Sequence, residues 1–235
     1  MVSVGFAISL VGCATAAPTY QLAPSGGDVV WTSGRPVLQQ EIDGVQIAVG
    51  STGQAGGAVG LNVQISNVGA ERFEVSARDV TFTACSGTMN ASCAATRWVM
   101  DPDQELAKLD QRARDERASA NVSQGLLAFL LVLNVAADVG SLGRHHHGAG
   151  AGTVATAELM EGNAAHHDHT MSKLEVERDF WTNTALRRNT VDAGQTAAGI
   201  VLVPIYPTAR YVWLHVRIGA RRFSFRFDQT AVALA

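Results

Sequence analysis

The fold is decided by residues 211–227, which read YVWLHVRIGARRFSFRF. Every second residue of the first half is apolar, namely Val212, Leu214, Val216 and Ile218. After Gly219-Ala220 the alternation resumes with Phe223, Phe225 and Phe227. Such alternation is typical of strands that bury one face, and a glycine at the first position of a two-residue turn supplies the positive φ of a tight hairpin. The stretch therefore predicts an antiparallel β-hairpin.

The same alternation recurs earlier in the chain, in segments bounded by turn residues. The clearest examples are residues 45–49 and 59–65, the second of which ends at the turn signal Asn67-Val68-Gly69. Further short β-prone segments lie at 28–32, 73–75, 80–82 and 199–204. Seven or eight short antiparallel strands predict a mainly β protein, and an immunoglobulin-like β-sandwich is the expected fold.

A helical insertion is predicted between the two halves of the sandwich. Asp101-Pro102-Asp103-Gln104 supplies an N-cap, a proline at the first helical position and a glutamine at the third. A second helix is predicted from Ser172 to Arg188. The apolar inner faces are expected to consist of Leu106, Leu109 and Ala113 in the first helix and of Leu174, Trp181 and Ala185 in the second. Together the two segments predict an α-helical hairpin.

Residues 125–139 form an apolar segment within this insertion. A helix of this length measures about 22 Å, which is shorter than the roughly 30 Å of bilayer hydrocarbon. The part from Leu126 to Leu133 has no polar side, whereas Asn134 and Asp138 follow it. We therefore expect a helix buried against the sandwich, a partner protein or a second copy, with insertion into a membrane surface as the alternative.

Composition and motifs narrow the classes of function. The 235-residue chain has a formal net charge of −3, whereas proteins that bind nucleic acid need an excess of positive charge. The sequence contains no Gly-x-Ser-x-Gly elbow, no phosphate loop ending in Gly-Lys-Ser/Thr and no Gly-x-Gly-x-x-Gly. We therefore predict a protein that binds no nucleic acid, is not an enzyme and needs no organic cofactor.

The N-terminal stretch Val2–Val11 is apolar and uncharged, like the core of a secretory signal, and is too short to span a bilayer. It ends in Leu10-Val11-Gly12-Cys13, which resembles the lipobox of bacterial lipoproteins. The resemblance implies a signal peptide at residues 1–12 and a lipid on the thiol of Cys13. Ala14-Thr15-Ala16 also fits the small-x-small site of an ordinary cleaved signal, and this alternative stays open.

With the strand pattern, the chain is similar to uncharacterised envelope lipoproteins that carry an immunoglobulin-like β-sandwich. This similarity implies an exported protein held to the cell envelope. Ala14, in place of Asp, follows the lipidated cysteine and implies the outer membrane, facing the periplasm or the cell surface. The expected domains are a lipidated flexible tether at 13–28, a sandwich at 29–100 and 190–230, and a helical, histidine- and glycine-rich insertion at 101–189.

Three cysteines are an odd number for an exported protein. With Cys13 assigned to the lipid, Cys85 and Cys93 remain as a pair. The residues between them include Gly87 and Asn90 and can form a tight loop in an oxidising compartment. A disulfide is therefore predicted, with two free buried thiols as the alternative.

Six of the seven histidines fall between residues 145 and 169. They form two groups, His145, His146 and His147, followed by His166, His167 and His169. Imidazole is a common ligand of Zn²⁺, Cu²⁺ and Ni²⁺, and the spacer at 148–152 contains enough glycine to let the two groups meet. The alternative is a solvated low-complexity loop, because no His-Glu-x-x-His spacing is present.

Arginines cluster on the predicted hairpin, where Arg217, Arg222 and Arg226 fall on its outward face. Such a face can contact anionic lipid headgroups or polyanionic envelope polymers. The alternative is an exposed sheet face that arginine keeps soluble.

Two functions follow from these patterns. The first is a non-catalytic interaction or scaffold module, tethered to the membrane by its lipid, whose helical insertion packs on a partner protein or on copies of itself. The second is a lipoprotein whose clustered histidines bind or buffer Zn²⁺, Cu²⁺ or Ni²⁺.

Overall fold

A computed structural model of the chain describes residues 18–87, 92–118 and 169–232. Within these ranges the protein is mainly β, and two antiparallel five-stranded sheets pack over one apolar core. The predicted β-sandwich is therefore confirmed.

The first sheet has the strand order β1-β12-β11-β7-β8. Its strands are β1 (Thr19–Pro24), β7 (Val80–Cys85), β8 (Arg97–Trp98), β11 (Tyr211–Ile218) and β12 (Arg221–Val232). The predicted hairpin is the pair β11 and β12, and Gly219 has the expected positive φ of 60° at the first turn position. The three phenylalanines of β12 point into the core and are fully buried.

The second sheet has the order β10-β5-β4-β3-β2, so that four consecutive strands form a meander. Its strands are β2 (Asp28–Thr32), β3 (Arg35–Ile42), β4 (Val45–Ala55), β5 (Ala58–Asn67) and β10 (Thr196–Pro204). A small ribbon pairs β6 (Phe73–Val75) with β9 (Asn189–Val191), and a short 3-10 helix at Ala77–Asp79 precedes β7. Alternate residues of β4 and β5 are buried, as their sequences predict.

Two α-helices pack on the outer side of the second sheet. In the described residues they span 102–118 (α1) and 169–179 (α2), and a π-helical turn at Phe180–Thr184 follows α2. Leu109 and Trp181 join Ala58 and Leu202 of the sheet in a second apolar cluster. Leu106 and Leu174 are partly buried against the same cluster and Ala113 is buried, so these predicted inward positions are confirmed. Ala185 is also buried in the cluster, but it is extended and lies beyond the helix to which it was assigned.

The start of α1 and the end of α2 differ in how well the sequence predicted them. Asp101 caps α1 as expected, because its Oδ1 accepts a hydrogen bond from the backbone N–H of Asp103 at 3.0 Å. The predicted bounds of the second helix are wrong at both ends, because the chain is already helical at residue 169, before Ser172, and the helix does not reach Arg188. Ala185 is already extended, and the backbone N–H of Leu186 donates to Ile200 O at 2.9 Å. Edge pairing with β10 therefore ends the helix early.

The tether predicted at 13–28 is too long, because β1 already begins at Thr19. Strand β1 pairs with the C-terminal half of β12 from Thr19 opposite Val232 to Pro24 opposite Phe227. Leu22 is the one fully buried residue of β1, and this apolar contact anchors the strand in the core. β2 follows at Asp28, so residues 19–28 belong to the sandwich and are no linker.

Candidate interaction surface

The outer side of the first sheet carries a group of aromatic and basic residues that we call the aromatic–arginine face. Strand alternation places these residues on one side, because directly opposed residues of neighbouring strands point the same way. The face consists of Trp98, Trp213, His215, Arg217, Arg222 and Arg226.

Arg217 and Arg222 lie directly opposite each other on β11 and β12. The two-residue turn makes the adjacent pair, Ile218 and Arg221, the hydrogen-bonded one. Arg217 and Arg222 therefore form a non-hydrogen-bonded pair, in which side chains come closest. Both are exposed, and in the described part of the chain neither forms an ion pair with a carboxylate. Two like charges face each other here without an internal counterion.

Arg226, the third arginine predicted for this face, is held by its neighbours. Its guanidinium carbon lies 4.5 Å from the centre of the Tyr211 ring, and Nη2 lies 3.3 Å from Asp228 Oδ1. Arg226 Nε is buried and has no hydrogen-bond partner among the described residues. Stacking and ion pairing therefore leave Arg226 less available to an external anion than Arg217 or Arg222.

Trp213 and His215 form a stacked aromatic pair in the middle of the face. Their ring centres are 6.3 Å apart and the rings are nearly parallel, at 9°. His215 Nδ1 lies 2.9 Å from Ser224 Oγ on the neighbouring strand. Partial burial lowers the pKa of His215, because desolvation disfavours the imidazolium. His215 therefore favours the neutral form.

Trp98 extends the face on its other side, and sequence reasoning missed it. It lies in the two-residue strand β8 opposite Thr81, which in turn lies opposite His215. Its side chain is 69% exposed and borders a groove of about 600 Å³. At the groove, Arg78 Nε donates to Asp101 Oδ2 at 2.9 Å, and this ion pair raises the pKa of Arg78. A strand of two residues has no alternation that could have predicted this position.

The remaining candidate residues fall into described and undescribed parts of the chain. The disulfide between Cys85 and Cys93 is present and joins the end of β7 to the segment that leads into β8. Cys13, residues 125–139 and five of the clustered histidines lie outside the described residues. His169 is exposed at the start of the described part of α2. No group of three metal-ligating side chains occurs among residues 18–87, 92–118 and 169–232.

Comparisons with protein-family models, curated proteins and solved structures found no match to this chain. Across the described ranges, no helix has both the length and the apolar character needed to cross a membrane. The assignment of a function therefore depends on the chemistry of the described surfaces and on the sequence.

Proposed function

We propose that the protein is an exported envelope lipoprotein, anchored through Cys13, whose sandwich is a non-catalytic interaction module. Its aromatic–arginine face docks on the phosphates of anionic lipid headgroups. The observation that carries this proposal is the exposed pair of Arg217 opposite Arg222. Like charges directly opposite each other destabilise a sheet, and a bound phosphate between them removes that repulsion.

The short connection between Cys13 and the sandwich supports a contact with the bilayer. Five residues, 14–18, separate Cys13 from the first residue of β1. Five extended residues span at most about 18 Å. A lipid on Cys13 would therefore hold the start of the first sheet close to the membrane that it anchors.

The composition of the face fits the interfacial region of a membrane. Each arginine near an anionic surface contributes about 1 kcal/mol, and tryptophan is enriched at the depth of the headgroups. The proposed role of the face is to orient the anchored sandwich on the bilayer surface.

The anchor is tested by expressing the full chain and a Cys13→Ala variant in a diderm bacterium fed with a palmitate analogue. We expect the unchanged chain to be labelled and to sediment with membranes, and the variant to be unlabelled and released. The Cys85 and Cys93 thiols are joined in the disulfide and do not compete for the label. An unlabelled, soluble product from the unchanged chain would overturn the lipoprotein assignment.

The docking face is tested separately on the Cys13→Ser chain, which carries no lipid. We expect it to sediment with vesicles that contain phosphatidylglycerol and not with phosphatidylcholine alone. Replacing both Arg217 and Arg222 by glutamine should weaken binding about 30-fold, the equivalent of about 2 kcal/mol. The matched control, Arg114→Gln with Lys173→Gln, removes the same charge from the two helices that pack on the other sheet and should change binding little. Equal losses in both double variants would contradict a defined face.

Two finer sequence predictions stay proposals. An immunoglobulin-like relationship is supported by two antiparallel sheets whose connections cross between them, whereas the meander β2–β5 is not part of the seven-strand immunoglobulin order. An experimental structure compared strand by strand decides this point.

Contact with a protein partner through the insertion is tested by deleting residues 119–168 and measuring whether co-purifying proteins are lost.

Metal binding is the second candidate function, and it is favoured by the concentration of six histidines between 145 and 169. Calorimetric titration of Zn²⁺ and Cu²⁺ into the Cys13→Ser chain tests it, beside a variant in which all six are alanine. Sub-micromolar binding with simple stoichiometry that the variant loses would support metal handling. Binding no tighter than about 0.1 mM would indicate weak chelation by imidazole, and would remove this candidate.

A further inference from the structure

Strand β2 is an edge strand with unusual exposure of apolar side chains. It pairs with β3, and no other described strand lies on its second side. Val29, Val30 and Trp31 are 46%, 40% and 71% exposed. The strand contains neither proline nor lysine, the residues that commonly guard such an edge against pairing. β2 therefore presents an open hydrogen-bonding edge together with an apolar surface.

The β2–β3 turn determines which backbone groups point outward. Ser33 and Gly34 form a two-residue turn with φ of 50° and 75°, and Thr32 lies opposite Arg35. In such a hairpin the pair next to the turn is hydrogen-bonded and the pairs then alternate along the ladder. The N–H and C=O groups of Val29 and Trp31 therefore point away from β3.

We propose that a second copy of this chain binds at this edge, with the two β2 strands antiparallel and the two-fold axis at Val30. This arrangement places Val29 opposite Trp31 of the partner subunit, and Trp31 opposite Val29 of the partner subunit. All these residues carry outward backbone groups, so four N–H to C=O hydrogen bonds form. The second sheets of both copies join into one sheet of ten strands.

The side chains of β2 are complementary to themselves in this register. Val30 meets Val30 of the partner subunit on one face, and two valine–tryptophan pairs form on the other. β-Branched and aromatic residues are favourable cross-strand partners. Asp28 lies opposite Thr32 of the partner subunit, so that no like charges meet.

Charge complementarity extends this match by one strand. Arg35 of the partner subunit lies beside its own Thr32, in the same row as Asp28 and about 10 Å away across two strand spacings. An extended arginine side chain reaches a carboxylate over that distance. Neither Asp28 nor Arg35 has an ion pair among the described residues, and the symmetric arrangement brings these groups together twice. A second copy is therefore the occupant that this edge fits.

The proposal does not depend on the lipid anchor or on the aromatic–arginine face. The Cys13→Ser chain is used so that no free thiol remains beside the disulfide. A Val30→Cys substitution is then added, because Val30 and Val30 of the partner subunit form a non-hydrogen-bonded pair whose Cα atoms are about 4.5 Å apart. Cysteines at that separation can form a disulfide after mild oxidation.

We expect Val30→Cys to give a covalent dimer. The matched control, Val68→Cys, places a thiol at a valine that is 54% exposed in the loop after β5. This variant should remain a monomer. Adding Trp31→Lys to Val30→Cys should abolish the dimer, because two lysines then enter the interface. Circular dichroism establishes whether each variant is folded, and sedimentation of the Cys13→Ser chain without added cysteine should show reversible dimers that Trp31→Lys removes. Equal crosslinking at Val30→Cys and Val68→Cys, or a monomer up to about 1 mM, would overturn the proposal.

Discussion

The edges of the two sheets are closed to different degrees. On the first sheet, β1 covers only the C-terminal half of β12 and leaves Ser224 on an open stretch of strand. Gln40 from the other sheet fills this gap: its Nε2 donates to Ser224 O at 2.8 Å, and its Oε1 accepts from the Ser224 N–H at 3.2 Å. On the second sheet, β2 has no comparable cover in the described residues and exposes its apolar side chains.

The comparison teaches that one side chain is enough to occupy an open edge. A glutamine amide carries one donor and one acceptor and thus imitates the backbone of a neighbouring strand. Where the chain supplies such a group, the backbone groups that it binds are no longer free to pair with another molecule. No such group lies at β2 among the residues that the structure describes, and the dimer that we propose is based on this difference.

The largest loss of stability is expected from a substitution that pushes Leu186 away from the edge of β10, a third sheet edge. A Cβ atom built on Gly199 would lie 2.5 Å from Leu186 Cα and 2.6 Å from Leu186 N. Because both are backbone atoms, the clash can be relieved only by moving the main chain. Gly199→Ala should therefore lower the free energy of unfolding by about 3 kcal/mol, measured by urea denaturation. The control Gly57→Ala, which has open space around it, should stay within about 0.5 kcal/mol of the unchanged chain. Equal stability of the two variants would show that the β10 edge is not closed by this contact.

A smaller effect is expected from removing the side chain that closes the β12 edge. Gln40→Ala leaves the two backbone groups of Ser224 to water and should reduce stability by about 1 kcal/mol. Gln40→Glu keeps the acceptor but loses the donor to Ser224 O. Its stability should therefore lie between that of the unchanged chain and that of Gln40→Ala. Denaturation of the three proteins at one pH checks the order. An unchanged stability in Gln40→Ala would mean that the glutamine is not needed to satisfy this edge.

The smallest effect concerns His215, which contacts the Ser224 side chain on the same strand pair. Burial lowers its pKa from the ordinary 6.5, so the unfolded chain takes up a proton at a higher pH than the folded protein. The stability that neutral His215 contributes is therefore fully present above about pH 6.5, and it is lost as the pH drops towards the folded pKa. His215→Gln should flatten this part of the pH profile between about pH 5 and 7. A profile as steep as that of the unchanged chain would assign the loss to other groups.

The elements that sequence predicted well are those with a strict period and clear turns. The β11–β12 hairpin follows from alternation around Gly219, and the opposition of Arg217 and Arg222 can be counted back from the same turn. By contrast, β1 buries only Leu22 and shows no apolar alternation, so its pairing with β12 depends on contacts distant in sequence. The early end of α2 also depends on a contact distant in sequence, because the Leu186 N–H donates to Ile200 O of β10.

The candidate surface was predicted in part for the same reason. Periodicity placed three arginines on one face, but it did not reveal that Tyr211 and Asp228 hold Arg226 or that Trp98 joins the face from β8. These facts depend on which strands become neighbours. Likewise, the open edge at β2 is a property of the strand order and not of the segment alone.

The most direct test of the account is amide hydrogen exchange followed by NMR on the Cys13→Ser chain at several protein concentrations. We predict that the Ser224 N–H is protected at every concentration, because Gln40 closes that edge within the chain. The N–H groups of Val29 and Trp31 should exchange freely when dilute and become protected as dimers form. Protection of Val29 and Trp31 that is already complete at the lowest concentration, or free exchange of Ser224, would contradict the difference between the two edges.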